Sequence, residues 1–199
     1  MKYPGGGAKR TSERLAQAGN KVLVRFTRPV EQGWVHGYVL IVGTRFFLLA
    51  LVDDNLRFNG FQCFRLQDVR NLQVPAKYAA FVEAALRARG ERHPRTPPVV
   101  MDTVQELLRT ASRVFPLVTI HRENVAPDIC HIGRVVDVSD SEVSLLEIGP
   151  DANWDEQSCD YRLKEITRVD FGGGYEEALW LVGGLSGSRP KKTQNAAHH

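Results

Sequence analysis

The sequence predicts an α+β protein, mainly β with α: two tandem five-stranded antiparallel barrels, each followed by a helix. Three observations carry this. Phe64–Val74 lines up with Tyr161–Phe171 at a constant offset of 97 residues, which carries Tyr78 onto Tyr175; such self-similarity marks an internal repeat. Each copy contains short runs in which apolar and polar residues alternate, the period of a half-buried strand. Each run of strands is then followed by a stripe of apolar residues at helical spacing.

The repeat extends upstream. Val22–Arg28 matches Pro116–Arg122 at an offset of 94, and Gly37–Val42 matches Gly133–Val138 at 96. Small loop insertions account for the drift. Residues 1–20 form an N-terminal extension with room for a short helix. In residues 21–90, Val22, Val24 and Phe26 alternate with polar neighbours as a first strand. Gly37–Val42 and Arg45–Val52 are two more, broken at Gly43-Thr44. Asp53–Gly60 is rich in turn residues, Phe61–Leu66 is the fourth strand, Gln67-Asp68 a short turn, and Val69–Val74 the fifth. Pro75 ends the sheet and opens a helix, because proline lacks the N–H a ladder needs but suits a first helical turn.

That helix, Ala76–Arg89, puts Tyr78, Phe81, Val82, Ala85 and Leu86 on one stripe, with Gly90 as its C-terminal cap. It reads as a lid on one end of the barrel. Tyr175, Ala178, Leu179 and Val182 repeat the pattern in residues 116–184, ending at Gly183-Gly184. Between the copies, residues 91–115 open with a stiff proline-rich linker. A helix to Val114 follows, for which Asp102 is the expected cap and Gln105 completes a capping box. Residues 185–199 read as a disordered tail.

Composition narrows the class. With 199 residues, 43% of them hydrophobic and 25% charged, enough apolar surface exists to offset the entropy of ordering the chain. The longest apolar run, Phe46–Val52, is far short of the ~20 residues of a membrane-spanning helix. The first residues, Met1-Lys2-Tyr3-Pro4-Gly5-Gly6-Gly7, lack the apolar core of a secretory signal. A cytosolic protein with no membrane partner is expected. Cys63, Cys130 and Cys159 are odd in number and widely spaced, so neither a disulfide framework nor a four-ligand zinc site has a signature.

Five short antiparallel strands make a sheet that curls rather than staying flat with exposed edges. Each copy therefore resembles an Sm-like (LSm/WYL-like) small β-barrel. The residues that carry the likeness are Gly37-x-Val39, Leu48-Leu49 and Phe64-Arg65-Leu66-x-Asp68-Val69. They recur as Gly133-x-Val135, Leu145-Leu146 and Tyr161-Arg162-Leu163-x-Glu165-Ile166. The pair is similar to an uncharacterised family of bacterial tandem-barrel proteins, a likeness that brings no activity with it. Sm proteins bind RNA through an Asp/Asn-bearing loop and an Arg-Gly type loop. Here those places read Val42-Gly43-Thr44-Arg45-Phe46 and Arg65-Leu66-Gln67-Asp68, so the RNA-contacting pattern does not carry over. Function must come from the sites rather than the fold.

Charge is distributed unevenly. Residues 1–90 hold 14 lysines and arginines against 6 acids, a net +8, whereas residues 116–184 hold 5 against 14, a net −9. Phosphate binding needs a continuous basic surface, and the acidic copy repels a strand within a Debye length of ~8 Å. Oppositely charged copies instead suit oriented recognition of a protein partner, or self-association. Nucleic acid, RNA or another single strand, is the alternative, held through residues 1–90.

Two groups of residues are candidates. Arg65, Arg87, Arg89, Arg92, Trp154 and Arg162 are the interaction candidates, Trp154 as an exposed aromatic anchor among acids. Arg65 and Arg162, beside Asp68 and Glu165, either meet a ligand or orient the short turn. His121, Glu123, Asp128, Cys130 and His131 form a polar cluster whose residue types suit metal ligation or acid–base work, provided the two histidines converge across a hairpin. Gly172-Gly173-Gly174 lacks the Gly-Lys-Ser/Thr of a phosphate loop and reads as a strand-to-helix turn. The expectation is a non-catalytic interaction module with no cofactor and no metal.

Overall fold

The computed structural model describes residues 5–184; the tail expected from residue 185 onward lies outside them. The chain opens with a helix, α1 (Gly5–Ala18), where only a short one was expected. Five strands follow: β1 (Leu23–Arg28), β2 (Glu31–Val42), β3 (Phe46–Val52), β4 (Phe58–Arg65) and β5 (Arg70–Gln73). Helices α2 (Ala79–Ala88) and α3 (Val104–Ala111) lead to five more: β6 (Val118–His121), β7 (Cys130–Val138), β8 (Glu142–Glu147), β9 (Cys159–Arg162) and β10 (Arg168–Phe171). Helix α4 (Gly174–Gly183) closes the described chain. The turns before β5 and β10 are single 3₁₀ turns, Leu66–Asp68 and Leu163–Glu165.

All ten strands belong to one antiparallel sheet, in the order β5-β1-β2-β3-β4-β10-β6-β7-β8-β9. The sheet is open: β5 and β9 are its two edges. Where the sequence suggested two separately closed barrels, β4 of the first half hydrogen-bonds to β10 of the second. The register pairs Phe61 with Phe171, Gln62 with Asp170, Cys63 with Val169 and Phe64 with Arg168. The physical reason is legible in burial. Val169, Asp170 and Phe171 are all buried, as in a central strand, whereas β5 exposes Arg70 and Asn71. Within each half the strands run in the same relative order, last, first, second, third, fourth.

Equivalent positions occupy equivalent places. Val24, Phe47, Phe64 and Leu66 pack with Leu15 and Ala18 of α1 in one core. Their counterparts Val118, Val143, Tyr161 and Leu163 pack with Leu107, Leu108 and Ala111 of α3 in another. The helix that covers each core therefore precedes the strands. The expected lids do not fill that role: α2 packs through Val82 and Leu86 against Leu23, Tyr38 and Val52, and α4 through Leu179 against Leu117 and Ile148. Tyr78, Phe81, Tyr175 and Val182, expected in the core, are exposed. The apolar run in β3 is buried on both faces, Phe47 and Leu49 toward the first core, Phe46 and Leu48 toward the second. Such a strand shows no alternation of polarity.

Two local devices shape the sheet. A Cβ on Gly37 would collide with the carbonyl oxygen of Ala50, and one on Gly133 with that of Leu146. Both strands shift register just after, between Val39 and Ile41 and between Val135 and Asp137; a glycine beside a bulge lets a strand bend tightly against its neighbour. At α3 the cap is Thr103 rather than Asp102: its side chain accepts from the Glu106 N–H at 3.1 Å. Gln105 instead donates to the Ser139 carbonyl and to Asp140 Oδ1.

Candidate functional site

The polar residues singled out in the sequence fall into separate bonded groups around β6. The β6–β7 register places His121 opposite Cys130 and Ile120 opposite His131. Side chains of consecutive residues point to opposite faces of a sheet, so the two histidines are directed apart. Asp128 is exposed in the intervening loop. Among the described residues no group of three or more His, Cys, Asp or Glu side chains is placed to hold a metal ion.

The first group lies on the junction between halves. Gln62 Nε2, Arg168 Nη2 and His121 Nε2 surround Asp170 Oδ2 at 3.3, 2.6 and 3.1 Å. Arg168 Nε donates to the other carboxylate oxygen at 2.8 Å. Burial would raise the Asp170 pKa, but the Arg168 charge and the His121 hydrogen bond outweigh it and hold the carboxyl below its usual range.

The second group continues β1. Val24, Phe26 and Arg28 share one buried face, and the Arg28 guanidinium lies over the Phe64 ring, 4.8 Å from its centroid. Arg28 Nη1 donates to Glu123 Oε1 at 2.9 Å and Nη2 to Oε2. Thr167 Oγ1 lies 2.6 Å from Glu123 Oε2 and 3.0 Å from the His121 carbonyl oxygen. Burial pushes the Glu123 pKa up; the Arg28 and Thr167 hydrogen bonds and the Arg28 charge more than reverse it.

The third group belongs to the second half alone. Arg122, the counterpart of Arg28, lies 4.9 Å over the Tyr161 ring, the counterpart of Phe64. Its Nη1 donates to Glu165 at 3.2 Å, and its Nη2 is 3.4 Å from His131 Nε2. His131 Nδ1 contacts Glu147 at 3.1 Å and the Tyr161 hydroxyl at 2.9 Å, and that hydroxyl donates to Glu147. Burial and the Glu147 carboxylate together push the Tyr161 pKa far up, so the phenol stays protonated.

The interaction candidates divide. Arg65 is buried and donates to Asp68 at 2.6 Å, holding the 3₁₀ turn. Its counterpart Arg162 is outward-facing, 4.0 Å from Glu165. Arg87, Arg89 and Arg92 are all exposed at and beyond the end of α2. Trp154 is not the exposed anchor expected. It packs edge-on against Trp180, at a centroid distance of 6.4 Å, and its indole N–H reaches the Gly184 carbonyl at 3.2 Å. A Cβ on Gly172 would collide with the Phe115 ring and one on Gly173 with Glu176 Oε2, while the Gly174 N–H is capped by Asn59 Oδ1 at 2.8 Å.

Sequence reasoning passed over Arg28, Glu147 and Thr167, and noted Arg122 only as a neighbour of His121. A signal existed for the arginines: each occupies the third position of a buried alternation, Val24-x-Phe26-x-Arg28 and Val118-x-Ile120-x-Arg122. Comparison of this chain with protein-family models, curated proteins and solved structures returns no match.

Proposed function

We propose that the chain is a non-catalytic cytosolic interaction module, two tandem Sm-like units merged into one sheet, that recognises a protein partner through the sheet's oppositely charged ends. The observation that carries this is the pair of open edges. An unpaired edge strand offers backbone N–H and C=O groups to an incoming strand. Around β9, Asp155, Glu156 and Asp160 are exposed, with Arg162 at the strand's end; in β5, Arg70 is exposed, and Arg14 donates to the Leu72 carbonyl at 3.2 Å. Charge of opposite sign at the two ends selects the partner's orientation and speeds encounter. The buried polar groups described above are engaged with one another, which supports a structural use for them.

The test is capture of partners by the immobilised full chain at low and moderate salt, alongside Arg70→Glu and Asp160→Lys. Partners that elute as salt rises, and that are lost with one charge reversal, support the reading. Association indifferent to salt and to both reversals sinks it. A second reading, RNA or single-stranded nucleic-acid binding by the basic half, is favoured by the exposed trio Arg87, Arg89 and Arg92. A gel shift of the full chain with single-stranded RNA at low salt decides it: no retardation eliminates the reading, and loss on reversing all three arginines supports it.

A further inference from the structure

The first half carries an exposed aromatic knob. Tyr78, the residue before α2, and Phe81, in its first turn, are each 65% exposed, and the Phe81 N–H donates to the Tyr78 carbonyl at 3.0 Å. Tyr78 is held in the left-handed region at φ 66°, a conformation that costs a non-glycine residue free energy. Lys77 Nζ lies 4.9 Å from the Tyr78 ring, adding a cation to the knob.

A cavity of about 520 Å³ lies beside α4, walled by residues of both halves. It is lined by Phe61, Phe115, Leu117 and Trp180 together with Glu176 and Glu177. An apolar cavity of ~150 Å³ holds one benzene-sized group, so this one has room for two rings. Leu181, also on its wall, is 82% exposed.

We infer that α2 of one molecule docks its Tyr78–Phe81 knob into the α4 cavity of a second copy of this chain. Charge complementarity selects that occupant: Lys77 meets Glu177, and the basic half meets the acidic half. Because knob and cavity are different surfaces of one chain, the contact is head-to-tail, and a joined pair keeps one free cavity and one free knob for the next molecules. It uses neither sheet edge and is independent of them.

The experiment is sedimentation of the full chain from low micromolar to several hundred micromolar at low salt. The weight-average mass is expected to rise above the 22.3 kDa of one chain. Phe81→Glu and Leu181→Glu alter exposed side chains, so circular dichroism should match the parent; each is expected to weaken association by ten-fold or more. Mixing the two variants is the decisive arm. Phe81→Glu retains an intact cavity and Leu181→Glu an intact knob, so the mixture regains association but stops at two chains. Lys77→Glu with Glu177→Lys tests the charged contact in the same way. A parent that stays monomeric overturns the inference, as does association unaffected by either variant or a mixture that fails to pair. Association that survives Phe81→Glu but is lost with Arg70→Glu also overturns it, while leaving the edge reading standing.

Discussion

Arg28 and Glu123, 95 residues apart, meet as a buried two-pronged ion pair across the seam between the halves. The guanidinium comes from the end of β1 and the carboxylate from the loop after β6, so the contact exists only when both halves are folded and joined.

Removing one partner leaves the other charge buried without its counter-ion, at a cost of about 3–5 kcal/mol. Arg28→Met and Glu123→Gln are each expected to lower the urea midpoint strongly. The double change Arg28→Met/Glu123→Leu should recover much of the loss, because no charge is then stranded. If the double variant is as unstable as the two losses added together, the pair does not act as a unit.

Acid should unfold this seam first. Glu123 and Asp170 both have folded pKa values below their ordinary 4.5 and 3.8. The stability they contribute is therefore fully present above those ordinary values and is lost as pH falls through the lower, folded ones. Denaturation midpoints measured between pH 7 and pH 2 should fall in that acid window, and Glu123→Gln should flatten the fall. An unchanged acid limb in that variant contradicts the assignment.

The two strand glycines are not ordinary small residues. Gly37→Ala and Gly133→Ala must displace backbone carbonyls, and each should cost on the order of 2 kcal/mol or more. Gly90→Ala, with open space around it but φ 71°, should cost about 1 kcal/mol. Thermal unfolding of the three variants gives the ranking.

The cap of α3 can be located by mutation. Thr103→Ala should cost about 1 kcal/mol, whereas Asp102→Ala should be nearly neutral, since the cap hydrogen bond belongs to Thr103. Equal effects on Tm would place the helix start elsewhere.

Thiol labelling should sort the cysteines. Cys63 is buried and its pKa is pushed well up by burial, so it should react only on unfolding. Cys130 is exposed but partly desolvated, with a raised pKa, so its labelling should quicken as pH rises above neutrality. Rapid native-state labelling of Cys63 would contradict its placement.

Much of the architecture was legible because it rests on short-range pattern. Val24-x-Phe26 and the matched motifs at Phe64 and Tyr161 mark strands whose alternation needs no knowledge of the partner strand. The helices were legible too, but not their roles. A stripe such as Tyr78, Phe81, Val82, Leu86 says that one side is apolar; it does not say how much of that side another element covers. Trp154 misled for a related reason: its neighbours in sequence are acidic and solvated, yet its indole turns toward Trp180 and the end of α4. The polar cluster was read as one site because its residues are close in sequence, but strand pleating sends His121 and His131 to opposite faces.

What the amino-acid order determined by itself is the set of local units: short strand segments repeated in each half, the helices, and a chain whose charge changes sign from one half to the other. Tertiary structure alone decided that β4 would join β10, that α1 and α3 would cover the cores, and that Arg28 would find Glu123. Those outcomes depend on which buried surfaces and charges are brought together by partners some hundred residues away, and a local pattern carries no record of the partner.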